Sequence, residues 1–345
     1  VDAVRILVSG GAGYVGSVSV ERLLAAGHDV TVLDDLTTGH RAAATDARLI
    51  VGSYADGAAM AGLLSEGRIE AILHCAARSL VGESVVDPAR YYRDNVAGGV
   101  ALLEAARTAG IRRFVFSSTA AVYGVPAVTP IPEDAPLAPI NPYGETKRTF
   151  EGALRWYGGA YGLRSVALRY FNVAGASDRN GERHDPETHL IPNVLGAVED
   201  GRPLTIFGTD YPTPDGTNIR DYIHVSDLAD AHLAALEATV SSDPRTDDPT
   251  APGDAARGRA LAINLGSAAG FSVREVVAAA ERVVGRPIAT AAGSRRAGDP
   301  PILVAANERA REVLAWTPRR GSLDEMIGSA WAWRQRHPHG YPDAG

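Results

Sequence analysis

Val4-Arg5-Ile6-Leu7-Val8, running into Gly10-Gly11-Ala12-Gly13-Tyr14-Val15-Gly16, is an apolar strand pattern that ends in a glycine-rich loop. Val20, Leu23 and Leu24 then recur at helical spacing, so the order is strand, loop, helix. Gly10 permits the tight turn, Gly13 lets backbone come close to a pyrophosphate, and Gly16 allows the helix to pack against the sheet. The helix N-terminus adds amide donors and a positive dipole end, which suit an anion. A second apolar run, His28-Asp29-Val30-Thr31-Val32-Leu33, ends at Asp34, 18 residues after Gly16. That spacing suits a carboxylate on the ribose hydroxyls of a dinucleotide, and its charge would repel a 2′-phosphate. NAD is therefore expected over NADP.

Beyond this unit, strand patterns alternate with helical ones. Arg48-Leu49-Ile50-Val51, Ala71 to Cys75, Phe114-Val115-Phe116 and Ser165 to Leu168 read as strands. Long helical stretches run from Pro88 to about Ala109 and onward from Pro142. The alternation predicts an α/β chain: a Rossmann-type doubly wound parallel sheet with a smaller mixed α/β region on its C-terminal side. Residues 1–170 are assigned to the nucleotide domain, with some later segments returning to it. Residues 171–345 are assigned mainly to substrate, where the pieces shorten and loops such as Gly208 to Gly216 fill with Pro, Asp and Gly. This second part reads as an addition without an independent core. Polar, aperiodic Ser241 to Arg259 is expected to be a mobile insertion.

Composition narrows the function class. A chain of 345 residues with net charge −7 and pI near 5.7 is a poor match for nucleic acid or an anionic membrane surface. Its single cysteine, Cys75, lies in an apolar run and excludes an intramolecular disulfide. The nine histidines show no ligand spacing with carboxylates or with that cysteine, so no metal is expected. His74 and His224 read as hydrogen-bonded structural residues. The chain enters its first strand almost at once and has no uninterrupted apolar span of bilayer length, which leads to the expectation of a soluble, cytoplasmic enzyme.

Tyr143 and Lys147 stand four residues apart behind Pro142, a good first-turn residue, and so share one helix face. Such a pair in isolation is ordinarily a surface pair. Here it follows Phe116-Ser117-Ser118-Thr119-Ala120-Ala121-Val122-Tyr123-Gly124, which places hydroxyls at the end of a central strand, where open α/β sheets bind ligands. A nearby ammonium brings a phenol toward working range as a base. Together, loop and pair argue for redox chemistry at an alcohol carbon.

With these motifs the chain resembles the extended short-chain dehydrogenase/reductases and, within them, the UDP-glucose 4-epimerases. Further matching stretches are Val81-Gly82-Glu83-Ser84-Val85, Asp94-Asn95-Val96, Arg169-Tyr170-Phe171-Asn172, Arg220-Asp221-Tyr222-Ile223-His224-Val225 and His337-Pro338-His339-Gly340-Tyr341-Pro342. The resemblance implies that Tyr143 takes a proton from the sugar 4-hydroxyl while NAD accepts hydride from C4. Thr119 would assist, and Lys147 would hold the cofactor ribose and tune Tyr143. The keto sugar would then turn over and be reduced on its other face. Tyr14, Val15, Asp35, Ala76, Asn95, Ser117 and Tyr170 would join Gly10, Gly13, Gly16 and Asp34 around the cofactor. Phe171, Asn172, His189, Leu190, Phe207, Arg220, Arg296 and Asp299 would bind the UDP-sugar. Members usually form homodimers through two helices, here about Pro88 to Ala109 and Pro142 to Gly158.

Departures from the family pattern carry their own expectations. Thr119 stands where a serine is frequent and keeps the hydroxyl. Ser79, beside Arg78, replaces a common lysine, and Ser53 replaces an acid near adenine; both changes predict weaker NAD retention. His189 replaces an asparagine before the Leu-x-Pro turn. Leu303 holds the gate position that limits N-acetylated sugars, so their acceptance stays open. A dehydratase or decarboxylase of the same superfamily usually has an acid just after the active-site threonine, and Ala120-Ala121 cannot move protons. An epimerase for another UDP-sugar, a pentose or uronic acid, and a non-catalytic NAD sensor are the remaining alternatives.

Overall fold

The computed structural model describes residues 3–44, 46–240, 260–296 and 299–342. The expected insertion at 241–259 lies outside the described residues. The strands are β1 (Arg5–Ser9), β2 (Asp29–Asp34), β3 (Arg48–Val51), β4 (Ala71–His74), β5 (Arg113–Thr119), β6 (Arg164–Tyr170), β7 (Asn172–Ala174), β8 (Leu204–Phe207), β9 (Ile219–His224), β10 (Ala260–Leu265), β11 (Gly270–Ser272), β12 (Thr290–Gly293) and β13 (Ile302–Leu303).

Seven of them form one parallel sheet in the order β10-β6-β5-β4-β1-β2-β3. Alternate side chains go to opposite faces, so the near-continuous apolar runs supply two cores. Ile6, Val8, Val32 and Leu73 enter one, covered by helices Tyr14–Ala25, Val225–Ala238 and Glu308–Leu314. Leu7, Leu33, Ile72 and Phe114 enter the other, under helices Gly57–Glu66, Gly99–Thr108 and Pro142–Tyr161. The chain winds outward from β1 through β2 to β3, then returns to build β4, β5 and β6 on the other side. Its reversal point is therefore the gap between β1 and β4, and ligands of such sheets sit at the carboxyl ends of those strands.

A smaller set of strands stands beyond β6. β9 pairs with β7, β11 and β13, while β8 and β12 pair with each other. Contrary to the expectation of no independent core, this part buries a cluster of its own, with Ile191, Leu195, Tyr222, Val276, Met326 and Ile327 among its members. Short strands and loops hid it, because its apolar residues are contributed by elements far apart in sequence. Strand β10 and helix Val225–Ala238 pack with the large sheet.

The helical stretch from Pro88 is also not uniform. It is α-helical over Pro88–Tyr91, π-helical over Tyr92–Gly98 and α-helical again over Gly99–Thr108. The widened turn holds Asn95, whose amide bonds the backbone of Arg78 on both sides (2.8 and 3.0 Å) and the Thr146 hydroxyl (3.1 Å). Such insertions cluster near functional sites. Among the described residues no helix is long and apolar enough to cross a membrane.

Candidate active site

The loop after β1 sits at the reversal point of the sheet. Gly10 has φ +76°, and a Cβ there would lie 2.5 Å from the backbone nitrogen of Ala76, which follows β4. Ala76 in turn donates its N–H to Ser9 O at 2.9 Å. A Cβ on Gly16 would collide with Gly10 O, so helix Tyr14–Ala25 can start this close to the loop only with glycine there. That helix has Gly13 as N-cap, no side-chain cap and no acid in its first turn. Its terminal donors therefore have no side-chain acceptor from the cap or the first turn, which suits an anion.

Asp34, at the end of β2, accepts from Ala12 N (3.0 Å) and Leu36 N (2.9 Å). Burial raises its pKa, and those two amide bonds oppose the rise. Asp35 is exposed and caps Thr37 N at 3.0 Å. These features fit an NAD-type dinucleotide: a bare glycine cradle, an open helix terminus and a carboxylate one strand away. Tyr14 and Val15 form the first helical turn, but the Tyr14 hydroxyl turns away and donates to Gly175 O at 2.6 Å.

The catalytic candidates come from β5 and helix Pro142–Tyr161. Asn141 caps that helix through Gly144 N at 2.8 Å, and Pro142 occupies its first turn. Tyr143 and Lys147 consequently face the end of β5. Lys147 is 3% exposed, and its ammonium donates to Ser117 O at 2.7 Å. The same ammonium is 4.7 Å from the Phe116 ring centroid and 5.9 Å from that of Tyr143. Burial lowers its pKa to about 8. Burial raises Tyr143, and a hydrogen bond with Thr119 works against that shift. Thr119 ends β5 and caps the short turn Ala120–Tyr123, with its hydroxyl accepting from Ala121 N at 3.2 Å. Tyr170 stands opposite Thr119 in the β5–β6 register. The Ser117 hydroxyl points into the sheet, toward Cys75 (3.3 Å) and His232 (3.2 Å).

The expected substrate residues fall into two places. Arg220 on β9 pairs with Asp299, and donates to the carbonyls of Ile219 and Pro300, each at 2.7 Å. Asp299 also accepts from Asn218 Nδ2 at 2.7 Å and from the Tyr211 hydroxyl at 3.3 Å. Asn218 and Tyr211 escaped the sequence reading because nothing local ties them to Asp299. The Arg296 guanidinium lies 4.5 Å from the centroid of exposed Phe207. Leu303 stands opposite Arg220 in register, and packs in one cluster with Phe171 and the Ala120–Tyr123 turn. This cluster links the strand in register with Arg220 to the turn that follows Thr119. Asn172 reaches β9 through Asp221 O at 2.9 Å.

His189 belongs elsewhere. It precedes helix Leu190–Asp200, and its Nδ1 meets Glu182 (2.8 Å) and Glu187 (3.1 Å). Burial pulls the imidazoles of His184 and His189 down, but these two carboxylates overcome it and raise them to about 9 and about 10. The expectation that no histidine has ligand spacing with carboxylates was therefore mistaken. Glu182, His184, Glu187 and His189 form a Glu-x-His-x-x-Glu-x-His run, and their ligand atoms converge within 4.8 Å. His74 and His224 are structural as expected: His74 Nδ1 meets Ser9 Oγ at 2.6 Å, and His224 Nδ1 accepts from Ser226 N at 3.0 Å.

The profile of the NAD dependent epimerase/dehydratase family matches residues 6–247. A UDP-glucose 4-epimerase of Lacticaseibacillus casei is 47% identical over 342 residues, covering 98% of this chain and 99% of that protein. The crystal structure of the Brucella ovis UDP-glucose 4-epimerase in complex with NAD superposes with a TM-score of 0.89 at 43% identity, covering 96% of this chain and 98% of that one. That of the Bifidobacterium longum enzyme, in complex with NAD+ and UDP, gives 0.88 at 33% identity, covering 98% and 100%.

Proposed function

The chain belongs to the NAD dependent epimerase/dehydratase family, and from that premise we propose that it inverts C4 of a UDP-hexose, interconverting UDP-galactose and UDP-glucose. The observation that carries this reading is the constellation where β5 ends, next to the sheet's reversal point: Thr119 at the strand end, Tyr143 on the helix packed against it, and the Lys147 ammonium 5.9 Å from the Tyr143 ring centroid and bonded to Ser117 O. Bound NAD supplies a reversible hydride acceptor. The remaining work falls to the chain's own side chains.

Tyr143 removes the 4-hydroxyl proton and later returns it. Thr119 holds that hydroxyl in line and shares its proton with the phenol. Lys147 lowers the cost of the phenolate by its charge, in a site where burial strengthens the attraction. Gly10, Gly13 and Gly16 admit the cofactor pyrophosphate, and Asp34 and Asp35 receive its ribose. Ala76, Asn95, Ser117 and Tyr170 shape the pocket wall, Asn95 by fixing the loop at Arg78. On the other side, Arg220, Arg296, Asp299 and Phe207 hold the nucleotide, with Phe171, Asn172 and Leu190 toward the sugar and diphosphate. Inversion requires the sugar to present both faces, so the firm contacts belong on the nucleotide and the loose ones on the hexose. Residues 1–170 serve the cofactor and 171–345 mainly the UDP-sugar.

Elimination chemistry needs an extra acid and base beside the threonine, and Ala120-Ala121 offer neither. The chain functions as a homodimer through helices Pro88 to Ala109 and Pro142 to Gly158, whose outer faces expose Tyr92 and Trp156. Ser53 and Ser79 weaken NAD retention. Incubation with UDP-galactose, without and then with added NAD, tests the reading by NMR of the sugar signals. A mixture of UDP-glucose and UDP-galactose establishes it. An unchanged sugar even with NAD present overturns it.

A further inference from the structure

Glu182, His184, Glu187 and His189 lie on the segment between β7 and helix Leu190–Asp200, against the start of the cofactor loop helix. The His184 ring meets Tyr14 edge-on at 6.5 Å between centroids. His184 Nδ1 is 3.3 Å from Glu182 Oε1 and 3.6 Å from Glu187 Oε2, and His189 Nδ1 is 2.8 and 3.1 Å from the Oε1 atoms of the same two residues. Both imidazoles thus turn the same nitrogen toward the same carboxylate pair. Among the described residues, His184 Nδ1 is the buried side-chain polar atom without a hydrogen-bond partner: it is within ion-pair range of the carboxylates but poorly aligned with either.

From this geometry we propose that Glu182, His184, Glu187 and His189 form a binding site for one divalent transition-metal ion of the zinc class. The edges support it. A tetrahedral ion with nitrogen and oxygen ligands at about 2.0–2.1 Å separates those ligands by roughly 3.3 Å; the four His–Glu distances run from 2.8 to 3.6 Å, and one ligand atom from each residue lies within 4.8 Å of the others. Both imidazoles, which the carboxylates hold protonated, release their protons to solvent as the ion takes their Nδ1 lone pairs, and the dication then balances the two carboxylates; two imidazoles select zinc, cobalt or nickel over magnesium or calcium, which prefer all-oxygen cages. Glu187 is oriented for the task, because its Oε1 also accepts from the backbone N–H groups of Thr188 (2.7 Å) and His189 (2.8 Å). Access is open on one side: the Glu182 side chain is 7% exposed and that of His189 46%. The bound ion ties the run 182–189 into one rigid turn beside Tyr14 and stiffens the entry to helix Leu190–Asp200.

The test is a Co2+ titration of the full-length chain, followed by visible absorption and then by competition with Zn2+. The expected result is saturation at one equivalent with the intense bands of four-coordinate cobalt, erased by Zn2+. The signal is lost in Glu187→Gln/His189→Gln and kept in His339→Gln. The proposal is overturned by the absence of saturable binding to the unmodified chain, by weak bands of a hydrated six-coordinate ion, or by equal binding in the double variant. The unmodified chain decides by itself if the double variant fails to fold. None of these readouts depends on epimerisation.

Discussion

The Lys147 ammonium donates to the main-chain carbonyl of Ser117 at 2.7 Å. This bond fixes the buried cation against the strand that ends in Thr119, and so sets the height of the charge beneath the Tyr143 ring. A lysine held only by other side chains could relax away from the phenol; one anchored to a central strand cannot.

Replacing Lys147 by Met separates this electrostatic role from stability. Because folding depresses the lysine from 10.5 to about 8, the folded state binds fewer protons between those values. The burial cost is fully present below about pH 8, falls as pH rises, and is gone above the unfolded value. In cofactor-free protein Lys147→Met is therefore expected to be more stable than the original at pH 7 by about 2 kcal/mol, after loss of the Ser117 bond. The difference should shrink toward pH 10. Denaturant titrations at pH 7 and 9.5 check this; an equal difference at both pH values refutes it. Activity should fall despite the gain in stability.

Tyr143→Phe removes one oxygen from a fixed site. The expected loss is about 10²–10⁴ in kcat, with bound NAD unchanged, measured by NMR of UDP-galactose conversion and by cofactor content. A sensor protein would show no such separation.

Gly10→Ala places a methyl group against the Ala76 backbone at a left-handed φ. A destabilisation of about 1–3 kcal/mol is expected, together with loss of NAD affinity. Calorimetry with and without NAD should show a lower Tm and a smaller cofactor-induced rise.

Asp299→Asn unpairs Arg220 from its carboxylate while leaving the Asn218 contact possible. KM for the UDP-sugar should rise about tenfold with kcat within a factor of two, since a charge-assisted bond of this kind contributes about 1.5–3 kcal/mol, partly screened here. A drop in kcat alone would place Arg220 outside nucleotide binding.

Trp156 is 73% exposed on the Pro142–Tyr161 helix. Trp156→Glu should convert a homodimer to a monomer in sedimentation velocity. A single species at the monomer mass for both proteins would refute the dimer.

The alternation of short apolar strands with helical spacing, and the glycine loop closing at Asp34, determined the doubly wound sheet and the NAD cradle, because each signal is local. The Tyr143–Lys147 spacing likewise puts both on one helix face by local geometry alone. Tertiary structure alone decided that Lys147 answers to Ser117, 30 residues away, and that Asp299 meets Arg220 across 79 residues. It also decided that β10 joins the large sheet and that the substrate side has its own buried core. The Glu182–His189 run was local, yet its four ligand atoms converge only because the turn into helix Leu190–Asp200 aims both imidazoles at the same carboxylates. Periodicity encodes which face a residue occupies; which partner waits on that face is set by packing between distant segments.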